Sequence, residues 1–579
     1  MKNKLNEMKL QLLALFFISA QLYGQEIKGK YLQNQTVTYD ECINFYRGLE
    51  KKFPQAKMLS YSNTDVGIPL HVFMITDDND FDIESIKRKN KAILLINNGI
   101  HAGEPCGVDA CLSLSEDLLS KKELYALLKN VVVCIIPFYN IDGALNRGCC
   151  SRANQNGPQE YGFRANAKNL DLNRDFIKCD AQNTKSLIEI IHSIKPHVFV
   201  DTHISNGADY SYNMTLINTQ QNKLNSNLSN YLDNEFLPFL QAEMKNKDNE
   251  MCPYVDTYKT TPDSGLVGFL ETPRFATGYT ALYNILGFVT EAHMLKPYPI
   301  QVKATYDLLL SFISTIDKQH IAIIDAKKIA DEQVTRLQKA FPLHWQLDTS
   351  KFELIDFKGY EAAYKKSSIS GLDRLYYDKS KPFNKKIKFY NNYVANDSVN
   401  KPQAYIIPQA WANVIELLQL NNVKLKPFAK DTSIEVNCYY IEDYKTTNKP
   451  YEGHYLHSNV TLKSSKQFIH FYKGDYIIWC NQNANRFIIE TLEPKATDSY
   501  FNWNYFDSAL QQKEWFSDYV YEETAEKLLK EDPKLKIELE KYVKDKKLEN
   551  NHWEQLAWLF KHAPQYEKTA NRYPIFRLE

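Results

Sequence analysis

The sequence predicts an α/β fold, with a mixed but largely parallel sheet flanked by helices, followed by an α+β C-terminal region. Three features predict this fold: short apolar runs, helical runs between them, and a change after about residue 321 from this alternation to aromatic-rich, strand-like segments. The apolar runs are too short and too β-branched for helices, so we expect buried strands. Their alternation with helical runs predicts parallel strands covered by helices. A chain of 579 residues also exceeds what one hydrophobic core usually serves, which indicates two or more domains.

The N-terminal segment is typical of an export signal. Three lysines within the first nine residues precede the apolar run 10–20, which is too short to cross a bilayer. We expect residues 1–24 to be a signal peptide, with cleavage near Gly24–Gln25, and no Cys follows the run to carry a lipid anchor. The mature protein is therefore expected in the periplasm or secreted, and no later run has the ~20 apolar residues of a membrane span.

Residues 25–320 carry the alternating pattern and are expected to form the catalytic domain. Strand-like runs and helical runs succeed each other in the order 91–97, 108–119, 131–138, 187–194 and 197–200. Between them, the Gly- and Asn-bearing segment 140–169 has little periodicity. A long loop of this kind in an enzyme usually shapes a site.

Residues 321–579 are expected to form an accessory α+β domain. A connecting helix over 327–340, a short helix from Pro408 to Leu418 and a charged helical segment over about the last 60 residues are predicted. The segments 351–390 and 433–480 are expected to be antiparallel strands, including a hairpin over 468–479 that turns at Lys473–Gly474.

Composition excludes some partners. The 70 Lys plus Arg balance the 70 Asp plus Glu, so nothing indicates a nucleic acid or an anionic membrane. Ten Cys in so long a chain are not a disulfide scaffold, and most are expected to be small buried residues. The adjacent Cys149 and Cys150 are not expected to pair with each other. The sequence does not indicate an oligomeric state.

Four segments place a polar residue of catalytic or metal-binding type just past an apolar run. They are residues 94–104, 169–175, 198–203 and 287–293. Residues beyond the carboxyl ends of parallel strands lie in the crevice where α/β enzymes bind ligands. His101, Glu104 and His203 could form a three-ligand zinc site that leaves one position for water. One zinc per chain is therefore predicted.

This order of residues resembles the zinc carboxypeptidases of the carboxypeptidase A type, over roughly residues 40–300. The resemblance is strong in the four segments and weak between them. It implies that Asn173 and Arg174 bind the terminal carboxylate of the substrate, a task that suits the planar fork of Arg. It also implies that Asp171 orients the first zinc histidine, His101. The C-terminal region of ~250 residues is a departure from the simple digestive enzymes.

The resemblance further implies that Glu291, at the end of an apolar strand, is the catalytic glutamate. Zinc lowers the pKa of bound water, and a nearby carboxylate can take that proton and pass it to the leaving amine. Glu271 is the next residue to test for this role.

The family also has an oxyanion arginine and a mobile tyrosine, and the sequence offers two residues for each. Arg152 and Arg164 both precede the Asn–Arg pair, and we prefer Arg152 because a polar loop with Gly and Pro follows it. Tyr279, next to a possible hinge at Gly278, competes with Tyr283 for the tyrosine.

The sequence thus predicts an exported zinc metallocarboxypeptidase that cleaves a peptide or amide bond near a free C-terminal carboxylate. The substrate could be an ordinary peptide or a cell-wall peptide, since relatives on this scaffold also act as amidases. A hypothesis of another class is a binding protein on a peptidase scaffold that has lost its activity. The presence of all three zinc ligands and Glu291 argues against it. No Gly-x-Ser-x-Gly motif indicates a serine hydrolase.

Overall fold

The structure, a computed structural model, describes residues 27–579. The predicted signal peptide, residues 1–24, lies outside them. The first part of the chain alternates strands and helices, as predicted. Its strands are β1 (Ala56–Asn63), β2 (Pro69–Ile75), β3 (Ala92–Asn98), β4 (Val131–Ile136), β5 (Val198–Ile204), β6 (Met214–Asn218), β7 (Cys252–Pro253), β8 (Leu266–Val267) and β9 (Leu286–Ala292).

The helices of this part connect the strands and cover both faces of the sheet. They are α1 (Tyr39–Lys52), α2 (Ile83–Arg88), α3 (Cys106–Ser120), α4 (Lys122–Tyr125), α5 (Ile141–Leu145), α6 (Gln182–Ile194), α7 (Ser226–Tyr231), α8 (Leu237–Lys245), α9 (Ala276–Ala281) and α10 (Tyr298–Arg336). Helix α1 begins with a side-chain cap that is encoded in the local sequence. Thr38 caps it by accepting from the Glu41 backbone N–H, while the Glu41 side chain accepts from Thr38 N.

Within residues 27–579 the central sheet has eight strands in the order β1-β2-β4-β3-β5-β9-β6-β7. The four central strands β4, β3, β5 and β9 run parallel, and the antiparallel pairs lie toward the edges. Strands β3, β4, β5 and β9 are buried along their whole length, as expected for a parallel sheet with both faces covered. This arrangement confirms the predicted fold class.

The C-terminal region is α+β, as predicted. Its strands are β10 (Ala340–Leu347), β11 (Glu353–Lys366), β12 (Asp373–Tyr390), β13 (Tyr393–Asn400), β14 (Ala404–Ile407), β15 (Lys426–Pro427), β16 (Thr432–Thr446), β17 (His457–Phe471), β18 (Tyr476–Trp479) and β19 (Phe576–Leu578). Its helices are α11 (Ala412–Leu420), α12 (Asn485–Leu492), α13 (Asp518–Glu531), α14 (Pro533–Lys546) and α15 (His552–His562). The last three helices have a small apolar core of their own.

The predicted hairpin over 468–479 is wrong, although the chain does turn at Gly474, with φ +99°. Strand β17 pairs with β16, whereas β18 pairs with β14 and β15 at the other side of the same sheet. The Asp475 carboxylate accepts hydrogen bonds from the backbone of Tyr472 and Gln409. These bonds direct the chain away from β17 and toward β14.

The two parts of the chain are in close contact. The largest cluster of buried apolar residues contains central-sheet residues such as Phe288 together with Phe487 and Trp503 of the C-terminal region. Helix α10 runs without interruption from Tyr298 to Arg336 and so crosses residue 320. The division into domains at 320 remains a prediction. The central sheet takes none of its strands from the described residues after 320.

Cys149 and Cys150 are joined by a disulfide, which corrects the expectation that they do not pair. Cys150 adopts φ +78°, an uncommon backbone conformation, and the two adjacent side chains meet there. The other eight cysteines are free and buried, as expected for small apolar residues. Among the residues described, no helix has both the length and the apolar character that crossing a membrane requires.

Candidate active site

The site lies at the carboxyl ends of the central parallel strands. His101 and Glu104 occupy the turn between β3 and α3, and His203 lies at the end of β5. Strands β5 and β9 pair in register, so that His203 is the direct neighbour of Glu291. The turn after β3 needs Gly99, which has φ +66° and whose Cβ position lies 3.1 Å from the ring of Phe138. Three distant parts of the sequence therefore meet at one edge.

His101, Glu104 and His203 form a compact buried cluster, with one ligand atom of each within 4.8 Å of the others. The Glu104 carboxylate lies between the two rings. Its Oε1 is 3.2 Å from Nδ1 of His101, and its Oε2 is 3.1 Å from Nδ1 of His203. Both histidines thus present the same nitrogen, Nδ1, to a common point.

The opposite ring nitrogens are held by carboxylates. Nε2 of His101 donates to Asp171 at 3.0 Å, and Nε2 of His203 donates to Asp201 at 2.9 Å. Such partners fix the tautomer and the orientation of metal-binding histidines. The sequence predicts this role for Asp171 but not for Asp201, although Asp201 lies two residues before His203 on the same strand.

These residues fit a zinc ion. Nδ1 of His101 is buried and makes no hydrogen bond, which is costly for a polar atom unless something else binds it. Two imidazoles and one carboxylate are a ligand set that zinc accepts in catalytic sites, with a position left open. Burial raises the pKa of Glu104, but the half-buried Arg152 and the two histidines outweigh it and keep this pKa well below its ordinary value, so this carboxylate is ionised as a ligand must be.

Both candidate oxyanion arginines line the cavity beside this cluster. Arg164 forms a two-pronged interaction with Asp171, at 3.1 and 2.9 Å. Both arginines also approach Glu104: Nη2 of Arg152 lies 2.9 Å from its Oε1, and Nη1 of Arg164 lies 3.6 Å from the same oxygen. Arg152 is therefore the closer of the two to the ligand cluster, while Arg164 makes its shortest contacts with Asp171.

Glu291 also faces the cavity. Its carboxylate is buried, and Oε2 has no hydrogen-bond partner among the described residues. Burial raises the pKa of Glu291 to about 8, with His203 lowering it and the nearby Glu104 raising it. A divalent cation in the adjacent cluster would lower this pKa, because an opposite charge favours the ionised carboxylate.

Asn173 and Arg174 lie in a short 3₁₀ turn, Leu172–Arg174, that Asp171 caps through the Asn173 backbone N–H at 2.9 Å. The Arg174 guanidinium lies 4.4 Å from the centre of the Phe275 ring, and the Asn173 side-chain oxygen accepts from Ala276 N at 3.3 Å. Both residues line the cavity. We refer to the pair Asn173 and Arg174 as the clamp.

One cavity of about 410 Å³ brings together the ligand cluster, Glu291, Arg152 and the clamp. Part of its wall is apolar or aromatic, formed by Ile217, Tyr254, Phe269, Phe275 and Val289. Glu271 also lines it, but Oε2 of Glu271 accepts from the backbone and hydroxyl of Thr277 at 2.8 and 2.6 Å. Tyr254 is not predicted from the sequence, because it lies in an irregular segment next to the two-residue strand β7.

Tyr279, our candidate for the mobile tyrosine, is not part of this cavity, and this prediction is corrected. Its ring is fully buried and its hydroxyl donates to Asn421 of the C-terminal region at 2.7 Å. The alternative, Tyr283, donates to the Asn421 backbone carbonyl at 2.8 Å. Both residues are fixed by packing between the two parts of the chain, so neither reaches the site in this structure.

Comparison with known proteins agrees with this geometry. The zinc carboxypeptidase family profile matches residues 42–234, a range that contains His101, Glu104, His203 and the clamp. Carboxypeptidase 2 of Trichophyton equinum is 21% identical over 446 residues, covering 71% of this chain and 73% of that protein. Probable carboxypeptidase 2 of Trichophyton verrucosum is 31% identical over 109 residues, 19% of this chain and 18% of that protein.

Among solved structures, a metallo-carboxypeptidase from Burkholderia cenocepacia has a TM-score of 0.37 at 16% identity, covering 49% of this chain and 70% of its own. Carboxypeptidase A from Helicoverpa armigera has a TM-score of 0.37 at 15% identity, covering 54% and 81%. The family profile and the two carboxypeptidase relatives carry the assignment. Residues 42–234 therefore carry a zinc carboxypeptidase domain, which makes the chain a zinc-dependent hydrolase.

Proposed function

We propose that the protein is an exported carboxypeptidase that hydrolyses a peptide or amide bond next to a free C-terminal carboxylate. One observation carries this proposal: the clamp, the ligand cluster and Glu291 line a single cavity. A substrate carboxylate held by the clamp would therefore place the preceding bond beside the metal-binding residues.

In this proposal His101, Glu104 and His203 hold the zinc. When bound, zinc supplies Lewis-acid chemistry that makes a water more acidic and polarises a carbonyl. Glu291 takes a proton from the attacking water and passes it to the leaving amine, and its unpartnered Oε2 is free to do so. Arg152 donates hydrogen bonds to the oxygen of the attacked carbonyl as negative charge develops there.

The clamp would bind the terminal carboxylate. A guanidinium and a side-chain amide can together donate several hydrogen bonds to one carboxylate, and Arg does so with a planar fork. Arg174 stacks on Phe275, which fixes the plane of that fork before substrate arrives. The apolar part of the cavity wall would then contact the side chain of the terminal residue.

The zinc assignment can be tested by measuring the zinc content of the purified protein and of variants in the ligand cluster. Purified protein should hold about one zinc per chain, and His203→Ala should lose most of it, because two ligands bind zinc far more weakly than three. His320→Ala, a change on helix α10 outside the cluster, is the matched control and should keep its zinc. Unchanged zinc in His203→Ala would remove this site from the proposal.

The clamp is tested with pairs of substrates that differ only in a free or an amidated C-terminus. Arg174→Ala should raise KM for the free acid by roughly 10- to 100-fold, the value of a hydrogen bond to a charged group, and should change little for the amide. Arg174→Lys should lie between the two, since lysine keeps the charge but not the fork. Equal losses on both substrates would contradict the carboxylate role.

The natural substrate is proposed to be a peptide, either an ordinary C-terminus or a cell-wall peptide. A mixed library of peptides and muropeptides, digested with the purified protein and followed by mass spectrometry, distinguishes them. Loss of single C-terminal residues supports the proposal. Binding without cleavage would favour a non-catalytic protein on the same fold. Export is tested by N-terminal sequencing of the mature protein, which should begin near Gln25.

A further inference from the structure

The segment that carries the clamp is held from outside its own part of the chain. The backbone N–H of Asp171 donates to Oε2 of Glu452 at 2.8 Å. Glu452 lies 281 residues later, in the turn between β16 and β17 of the C-terminal region. Asp171 is the residue that contacts both His101 and the Asn173 backbone, so this bond fixes the start of the clamp turn.

The turn that presents Glu452 has an unusual conformation for its sequence. Tyr451 and His454 pair through backbone hydrogen bonds of 2.8 and 3.1 Å, which leaves Glu452 and Gly453 as the two central residues. Both have positive φ, +49° and +85°. Two-residue turns of this kind favour Asn or Asp followed by Gly, and a glutamate at the first position is unfavourable. A residue kept in such a conformation often has a functional reason.

Further contacts hold the residues that follow the clamp. Nε2 of His454 is 2.8 Å from the Asp180 carboxylate, and the Tyr505 hydroxyl donates to the Lys178 carbonyl at 2.7 Å. The rings of His454 and Tyr505 stack, with an angle of 13° between their planes. The C-terminal region therefore contacts the clamp segment at both its ends.

The aromatic ring beneath Arg174 is anchored to the same region. Arg274, the neighbour of Phe275, forms an ion pair with buried Asp498 at 2.7 Å and also donates to it through its backbone N–H at 2.9 Å. Its guanidinium lies 4.8 Å from the centre of the Trp503 ring and 5.5 Å from that of Tyr451. The backbone next to the clamp's stacking partner is thus held by residues of the C-terminal region.

We propose that the C-terminal region positions the carboxylate clamp. In this proposal Glu452 fixes the position of the Asp171–Arg174 turn relative to the cavity. Glu452 is absent from the cavity lining, so it acts through Asp171 and is a positioning residue. The proposal rests on the carboxylate role of Asn173 and Arg174. It gives the ~250-residue region a task in substrate binding, without contact to the reacting atoms.

The test compares Glu452→Ala, Glu452→Gln and Arg174→Ala in the full-length protein, with free-acid and amidated substrates. Glu452→Ala should raise KM for the free acid by roughly 2- to 10-fold, the value of one hydrogen bond, more than it lowers kcat and with zinc content unchanged. Glu452→Gln should restore KM, because its amide oxygen can accept from Asp171 N. Glu442→Ala, on the exposed side of the same hairpin, is the matched control and should behave as wild type.

The outcomes separate this inference from the function on which it rests. If Arg174→Ala raises KM for the free acid while Glu452→Ala leaves it unchanged, the positioning role is wrong and the clamp stands. If Arg174→Ala has no selective effect, the clamp itself is wrong. Equal losses on free-acid and amidated substrates in Glu452→Ala would indicate a merely structural role and would also overturn the inference.

Tyr505→Phe provides a second route if Glu452→Ala does not fold. It removes only the hydroxyl that donates to Lys178 and keeps the ring that packs there. It should also raise KM for the free acid selectively, by a few-fold. If Glu452→Ala does not fold, a Tyr505→Phe protein with wild-type KM for the free acid would overturn the inference.

Discussion

Asp171 and His101 lie 70 residues apart in the chain, and the carboxylate of the first accepts from Nε2 of the second at 3.0 Å. The same carboxylate oxygen accepts from the Asn173 backbone at 2.9 Å. One side chain therefore orients a proposed zinc ligand and shapes the turn that carries the proposed carboxylate clamp. Disturbing it should affect metal binding and substrate binding together.

Asp171→Asn should weaken zinc binding by roughly 10- to 100-fold, the usual cost of losing a carboxylate behind a metal-binding histidine. Competition with a chelator of known affinity measures this. The exposed Asp263→Asn is the control and should match the wild type. Wild-type zinc affinity in Asp171→Asn would show that His101 does not depend on this bond.

Glu291→Gln should keep its zinc and lose activity. General acid–base assistance is worth roughly 10²- to 10⁴-fold, and the loss should appear mainly in kcat because the base acts in the transition state. Steady-state kinetics with zinc analysis measures both. Glu271→Gln is the matched comparison, since Thr277 already occupies one oxygen of Glu271. A larger kcat loss in Glu271→Gln would move the base to Glu271.

Gly107→Ala should destabilise the fold next to the site. A Cβ at Gly107 would lie 2.0 Å from Oγ1 of Thr202, the neighbour of His203, and 2.5 Å from the Asn98 side chain. Overpacking of this kind costs roughly 1–3 kcal/mol, so Tm should fall by several degrees. Gly48→Ala is the control, because nothing lies within 4 Å of its Cβ position in helix α1. There the substitution should raise Tm slightly, and a Gly107→Ala protein that matched it would contradict the packing described.

The His454–Asp180 pair should make stability depend on pH. Burial lowers the pKa of His454, but the hydrogen bond to Asp180 and the charge of that carboxylate outweigh burial and raise it. The pKa of Asp180 is lowered, since His454 and Lys178 outweigh its burial. The stability that His454 adds is therefore complete below the pKa of about 6.5 that it has in the unfolded chain, and it is lost as pH rises through its higher pKa in the folded protein. The stability that Asp180 adds is present above about pH 4 and is lost as pH falls.

His454→Gln should accordingly lower the stability most between about pH 4 and 6.5, by about 1 kcal/mol, and much less at pH 9. Thermal unfolding at pH 5.5 and pH 9 measures the two differences in Tm. The exposed His562→Gln should show no such pH dependence. A His454→Gln penalty that is the same at both pH values would mean that the histidine is not charged in the folded protein.

Much of the site could be predicted because the candidate ligand and catalytic residues lie at or just after the ends of apolar strands in the sequence. His203 and Glu291 each lie shortly after an apolar run, and parallel strands bring such ends to one edge. The zinc cluster needs only this rule and the ligand types at the turn after β3. The order of the strands in the sheet was not needed for these residues to be found.

The errors arose where the outcome depends on contacts between distant segments. Tyr279 has a suitable position in sequence, but Asn421, 142 residues later, accepts its hydroxyl and fixes it away from the cavity. The sequence predicts the turn at Gly474, yet β18 pairs with β14 and not with the adjacent β17. Glu452 has no local signal beyond the Glu–Gly pair, because its role appears only when β16 and β17 place their turn against Asp171.

The length of helix α10 has a consequence for the folding of an incompletely synthesised chain. It packs against β3, β4 and β9, and Ile323, Ala330 and Val334 are buried in its later turns. A ribosome that stopped near residue 320 would release a chain whose helix α10 ends about halfway along its length and whose Asp171–Arg174 turn lacks its contact with Glu452. Such a fragment would expose apolar surface.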